Sequence, residues 1–297
     1  MRARGAALAV WAALPLGAAQ PAPSFDTLAR EANQARDARQ FDRAASLYRQ
    51  ALQLNPGWVD GLWSYGSMTY DRDRYAECAP AFRKLAALKP DSAPAWTMAG
   101  LCEYKLRSFG AALESLGRAA ELKFQEPPEL ARPARLHLAL VLIKTGSFEK
   151  ALATLTELTR AYGKTPEIAV AAGIAGLRMP WLPSEVPEER RGVTLKLGEA
   201  MAAAMEMDNA SAVAQFEAVV GEFPSEPNVH FRFGALLMTQ DEARGVDQIK
   251  QALALEPAHV PALVSLAVIY AGRGEKVIER RPADDEPFSG LAFKIMA

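Results

Sequence analysis

The sequence predicts an all-α fold, an α-solenoid of helix-turn-helix repeats in two blocks. Three observations predict it. Alanine and leucine are abundant while β-branched residues are sparse, a bias towards helix over strand. Prolines recur at a near-constant interval: Pro56 and Pro90 lie 34 residues apart, and Pro224 and Pro257 lie 33 apart. A pattern of aromatic, small and large residues also repeats in register with them.

That pattern runs Phe41, Ala44, Tyr48; then Tyr75, Cys78, Phe82; then Phe109, Ala112, Leu116; then Phe148, Ala151, Leu155. Steps of three and four place each trio on one helical face. An earlier helix in each unit carries its own small residue: Ala32, Gly66, Gly100, Ala139, Ala200 and Gly234. Small residues on both helices let an antiparallel pair approach closely. A closing proline cannot continue the second helix, so the chain turns into the next unit.

Taken in order, residues 1–19 read as a signal peptide. Arg2 and Arg4 precede an apolar run from Ala6 to Leu16, and Gly17-Ala18-Ala19 offers small residues for cleavage. The alternative is an Ala-rich segment without order. The signal implies a bacterial protein exported to the periplasm or beyond. No cysteine follows the run, so no lipid anchor is expected, and no later stretch is apolar enough to span a bilayer.

Helices are expected at 25–38, 41–54, 58–72, 75–88, 93–106, 109–123, 129–145, 148–162, 166–178, 187–206, 209–223, 227–239, 243–255 and 259–272. Residues 24–178 form the first block and 193–273 the second, whose last repeat lacks its second helix. Between them, 179–192 holds three prolines. Trp181, Leu182 and Val186 suit an ordered, packed connector; a flexible linker is the alternative. The tail, 274–297, is atypical: Pro282 and Pro287 flank Asp284-Asp285-Glu286, so it is expected to stay outside the folded scaffold, extended, mobile or loosely laid on the apolar face left by the incomplete repeat.

The repeats resemble the tetratricopeptide repeat. Trp63-Ser64-Tyr65-Gly66, Tyr75, Phe82 and Pro90 match best, followed by Trp96, Gly100, Phe109, Ala112 and Ala119. The likeness covers roughly 24–273, with Phe124 standing where the family has proline. It implies a groove, lined by the first helices, that binds proteins or extended peptides. Carried over residue by residue, Asn33 and Arg36 face the groove from the first unit. Asp60, Trp63, Ser67, Tyr70 and Asp71 follow from the second, and Thr97, Leu101, Tyr104 and Lys105 from the third. Trp63, Tyr70 and Tyr104 then form an aromatic ladder, unless these rings pack between repeats. Some members clamp a C-terminal carboxylate. Here only Asn33 fits that set, with Ala29, Ser64, Pro94 and Met98 at the other places, so such a clamp is not expected. The resemblance also sets Cys78 and Cys102 on neighbouring helices. A disulfide and two buried thiols both remain open.

Asp284-Asp285-Glu286-Pro287-Phe288-Ser289 and Leu291-Ala292-Phe293-Lys294-Ile295 resemble the start of the second domain of translation elongation factor G. That resemblance, over 281–297, implies a strand of a β-barrel and a chimeric reading frame. The chain has no Gly-rich phosphate loop, so GTP binding is not carried over.

Chemistry has little foothold in the sequence. No His-Glu-x-x-His, Gly-x-Ser-x-Gly or nucleotide loop occurs. His137, His230 and His259 are scattered and read as structural; neither a metal nor a cofactor is expected. The net charge of -1 gives no reason to expect nucleic acid as a partner. A protein-binding scaffold is therefore expected. The rival is an enzyme with its site near 179–192, where Ser184 and acids lack a base.

Overall fold

In a computed structural model the described residues are 23–123, 128–273, 277–280 and 292–295. They include fourteen helices: α1 (Phe25–Asp37), α2 (Phe41–Leu54), α3 (Val59–Tyr70), α4 (Tyr75–Leu88), α5 (Ala93–Lys105), α6 (Phe109–Glu121), α7 (Pro128–Lys144), α8 (Phe148–Tyr162), α9 (Pro166–Gly176), α10 (Glu188–Met205), α11 (Asn209–Glu222), α12 (Pro227–Leu237), α13 (Glu242–Leu255) and α14 (Val260–Gly272). The expected helices agree with these to within two residues at each end. The fold is an all-α repeat.

Six turns share one geometry. Arg39, Asp73, Arg107, Gly146, Arg178 and Met207 all take positive φ, between 57° and 78°. In each, the next amide donates to the carbonyl five residues back, as from Gln40 to Ala35 (2.8 Å) and from Ser108 to Glu103 (2.9 Å). These bonds satisfy carbonyls that a helix end leaves open. Five of the turns lead directly into a second helix; Arg178 leads into the connector.

The small residues of the pattern do what their spacing implies. A Cβ built on Gly66 would lie 2.7 Å from the Phe82 ring, and one on Gly100 would lie 2.5 Å from Leu116. Phe82 and Leu116, the large members of their trios, thus seat on the small residue of the preceding helix.

The chain divides into two compact units, the first ending at Gly61 and the second beginning at Leu62. In the first, α1 and α2 pack around buried Ala32, Ala44 and Tyr48. Trp58 stands edge-on to Phe25 (5.3 Å) and stacks on Tyr48 (5.8 Å). In the second, one core runs from Ala112 to Leu237 and crosses the expected division between repeat blocks. Connector residues Leu182 and Val186 are buried in it, and Trp181 packs against it. The short 3₁₀ turn Pro183–Glu185 lies between them. With no second helix directly after it, α9 is covered by α10. There backbone meets backbone: a Cβ on Gly173 would sit 1.9 Å from the Thr194 carbonyl oxygen, and one on Gly198 2.1 Å from that of Ala169. A smaller core joins α12, α13 and α14 through Phe231, Ile249, Leu266 and Tyr270.

Beyond α14, strands β1 (Val277–Arg280) and β2 (Ala292–Ile295) pair antiparallel, Val277 opposite Ile295. The tail is expected to be extended; these two segments are extended, and they pair with each other. The β-branched pair Val277-Ile278 and the Ala292–Ile295 segment with Phe293 suit extended backbone, and the pairing uses them. The signal-like residues 1–19 and the rest of the tail lie outside the described residues.

Candidate functional site

In the first unit, Asn33 accepts a hydrogen bond from the Tyr48 hydroxyl at 2.7 Å, and Arg36 pairs with Asp37 at 2.9 Å. Both side chains are thereby engaged within the fold. Asp60 is exposed in the first turn of α3.

In the second unit the aromatic residues are held by aromatic neighbours. Trp63, 39% exposed, stands edge-on to Phe82 at 5.5 Å. Tyr70 meets Tyr75 at 5.7 Å, and its equivalent one repeat on, Tyr104, meets Phe109 at 6.1 Å. In place of a ladder of three rings, each ring rests on the second helix of its own repeat. Ser67 is half-buried, Asp71 and Lys105 are exposed, and the Lys105 ammonium stands 5.9 Å over the Tyr75 ring. Thr97 and Leu101 correct the expectation of groove exposure: both are buried, at 0% and 3%. Their helix, α5, packs against α4, α6 and α7, which leaves little of its circumference free.

Cys78 on α4 and Cys102 on α5 are joined as a disulfide, with Cα atoms 6.2 Å apart and both residues fully buried. The bridge ties the second helix of one repeat to the first helix of the next.

A cavity on α7 is not signalled by the repeat pattern. Tyr104 also meets His137 edge-on, at 4.6 Å, which carries the α5 surface onto α7. His137 lines a cavity of about 550 Å³ between α7 and the corner of α8 and α9. Buried Leu158 and Ile168 lie beneath it with half-buried Leu136, and exposed Glu129, Arg132 and Glu167 stand around it. The His137 ring is fixed by its Nδ1, 2.7 Å from the Pro133 carbonyl oxygen. A carbonyl only accepts, so Nδ1 carries the hydrogen. Burial holds this imidazole below its ordinary range; the Pro133 carbonyl opposes that without overcoming it, and Lys105 adds to it. The ring is therefore neutral near pH 7. The available signal was Pro133 inside α7, four residues before His137.

The connector is held at the other end of α7. Glu185 takes ion pairs from Arg107 and from Lys144 (2.7 Å) and a hydrogen bond from the Leu182 amide (2.8 Å). Burial raises its pKa, but these partners outweigh burial and bring it down to about 2. Arg107 and Lys144 stand over the Phe109 ring at 5.4 and 6.0 Å. Among the described residues no group of three or more His, Cys, Asp or Glu is placed to hold a metal, and no helix is long and apolar enough to cross a membrane.

Residues 30–93 and 97–166 match the family model described as tetratricopeptide repeat. These two segments are similar to tetratricopeptide repeats. The repeats contain every groove residue named above, both cysteines and His137. No curated protein matches the chain. Among solved structures the chain is similar to MamA, at 20% identity over 63% of this chain and 93% of that one, with a TM-score of 0.48. It is similar to YrrB, described as a TPR protein with an unusual peptide-binding site, at 17% identity over 82% and 92%, with a TM-score of 0.37. A third is pilF of Pseudomonas aeruginosa, at 14% identity over 82% and 97%, with a TM-score of 0.40.

Proposed function

We propose that this chain is a scaffold that binds a protein through an extended segment, laid along the first helices α5, α7 and α9. The observation that carries this reading is the cavity beside His137. It is apolar beneath, polar around its edge, and flanked by Tyr104, a residue type that often carries binding energy. Trp63, Tyr70 and Lys105 extend the contact surface along α3 and α5. The signal-like start, Arg2 to Ala19, supports work outside the cytoplasm, in the periplasm or beyond. A catalytic reading at 179–192 has less support, because Glu185 is committed to Arg107 and Lys144. The elongation-factor-like tail adds no activity to this reading, since the phosphate loop is lacking.

The test is capture of envelope proteins by the full chain and by Leu136→Arg, which places a charge on the apolar side of the cavity. A partner held by the wild type and lost with Leu136→Arg, at unchanged helicity, supports the reading. Equal capture by both chains removes the site.

A further inference from the structure

We infer that the cavity beside His137 receives a tryptophan side chain of the bound segment, with the indole N–H donated to the imidazole of His137. The inference rests on the peptide-binding reading above and names the guest of that site.

The hydrogen-bonding character of the cavity is set by two residues of α7. The Pro133 carbonyl fixes the hydrogen of His137 on Nδ1. Nε2 is then the acceptor of a ring that lines the cavity, and among the described residues no hydrogen bond is formed to it. Pro133 also has no N–H, so the helix cannot supply the usual donor to the carbonyl of Glu129, one turn earlier. Glu129 and Pro133 both line the cavity. The lone pair of Nε2 is therefore the acceptor offered to the guest.

The surroundings limit what brings it. Leu136, Leu158 and Ile168 favour a large apolar body. The edge carries both signs, Glu129 and Glu167 beside Arg132, so it does not call for a strongly charged guest. Tyr162 lines the cavity and offers a ring for edge or face contacts, and Tyr104 supports the His137 ring edge-on. Tryptophan is the large side chain whose only polar atom is a donor. Phenylalanine brings no donor, and tyrosine brings a hydroxyl that accepts as well as donates. A cavity of about 550 Å³ has room for an indole and adjoining backbone.

The experiment is selection of a displayed random-peptide library on the full chain. The strongest peptide is then measured with its tryptophan intact and with 1-methyltryptophan, against wild type and His137→Phe. Tryptophan should be enriched. Methylation should weaken binding to wild type by about tenfold, the scale of one lost hydrogen bond, and change nothing on His137→Phe. Should His137→Phe fail to fold, the ¹⁵N shift of His137 Nε2 in the wild type reads the same contact, moving with the indole peptide and not with its methylated form. Enriched peptides without tryptophan, or equal binding of both forms by wild type, overturn the indole assignment and leave peptide binding standing. A selection that enriches nothing overturns both.

Discussion

Arg232 on α12 grips Glu149 on α8 with two guanidinium nitrogens, at 3.0 and 2.8 Å, across 83 residues of sequence. The arginine side chain is 8% exposed, and Arg178 joins the same carboxylate at 2.7 Å. Burial raises the pKa of Glu149, yet the two guanidinium groups hold it below its ordinary value. A helix beyond the connector is thus tied to helices before it.

Removing the carboxylate leaves a buried cation short of its main partner. Glu149→Ala should cost about 2 kcal/mol, below the usual range for a broken buried pair because Glu149 itself is largely solvated. Urea unfolding of the two chains measures it. A loss below about 0.5 kcal/mol would mark the pair as an ordinary surface contact.

Glycines separate by what their missing Cβ would meet. Gly173→Ala drives a methyl into the Thr194 carbonyl, and two packed backbones must part; a loss of about 3 kcal/mol is expected. Gly117 lies inside α6 with open space around it, so Gly117→Ala should add about 0.5–1 kcal/mol through helix propensity. Thermal or urea unfolding checks both. Equal effects at the two sites would contradict the close α9–α10 contact.

The disulfide closes a loop between residues 24 apart, and on chain-entropy grounds such a link is worth about 3 kcal/mol. Thiol titration of the unfolded, unreduced chain should find no free cysteine, and reduction should lower Tm. Two titrating thiols before reduction would show that the pair is open.

Stability should fall in mild acid. Burial lowers the pKa of both His137 and His259 in the folded chain. Below about pH 6.5 the unfolded chain then binds more protons than the folded one. The contribution of these groups is full above that pH and is lost as pH falls towards the folded values. Tm should therefore be lower at about pH 5.5 than at about pH 7.5, and His137→Gln should flatten part of the change. An unchanged Tm across that window would show that neither ring is held neutral.

Helix positions were legible because their signals are local. Pro56, Pro90 and the trio beginning at Tyr75 need only neighbours within a turn or two. The contact of Gly173 with the α10 backbone was not legible, since Arg178 opens the same turn as the other repeats and only the fold shows what covers α9. Thr97 and Leu101 follow the groove register in sequence, yet three packed neighbours bury their helix. The surroundings of His137 were not legible, because they depend on the carbonyl of Pro133 and on a cavity completed by residues from α8 and α9.

Hydrogen exchange on the full chain, with and without its captured envelope partner, tests the central claim most directly. Binding should slow exchange in α7 (Pro128–Lys144) and at the start of α9 (Pro166–Gly176). Slowing confined to α12 through α14, with α7 and α9 unchanged, would contradict it.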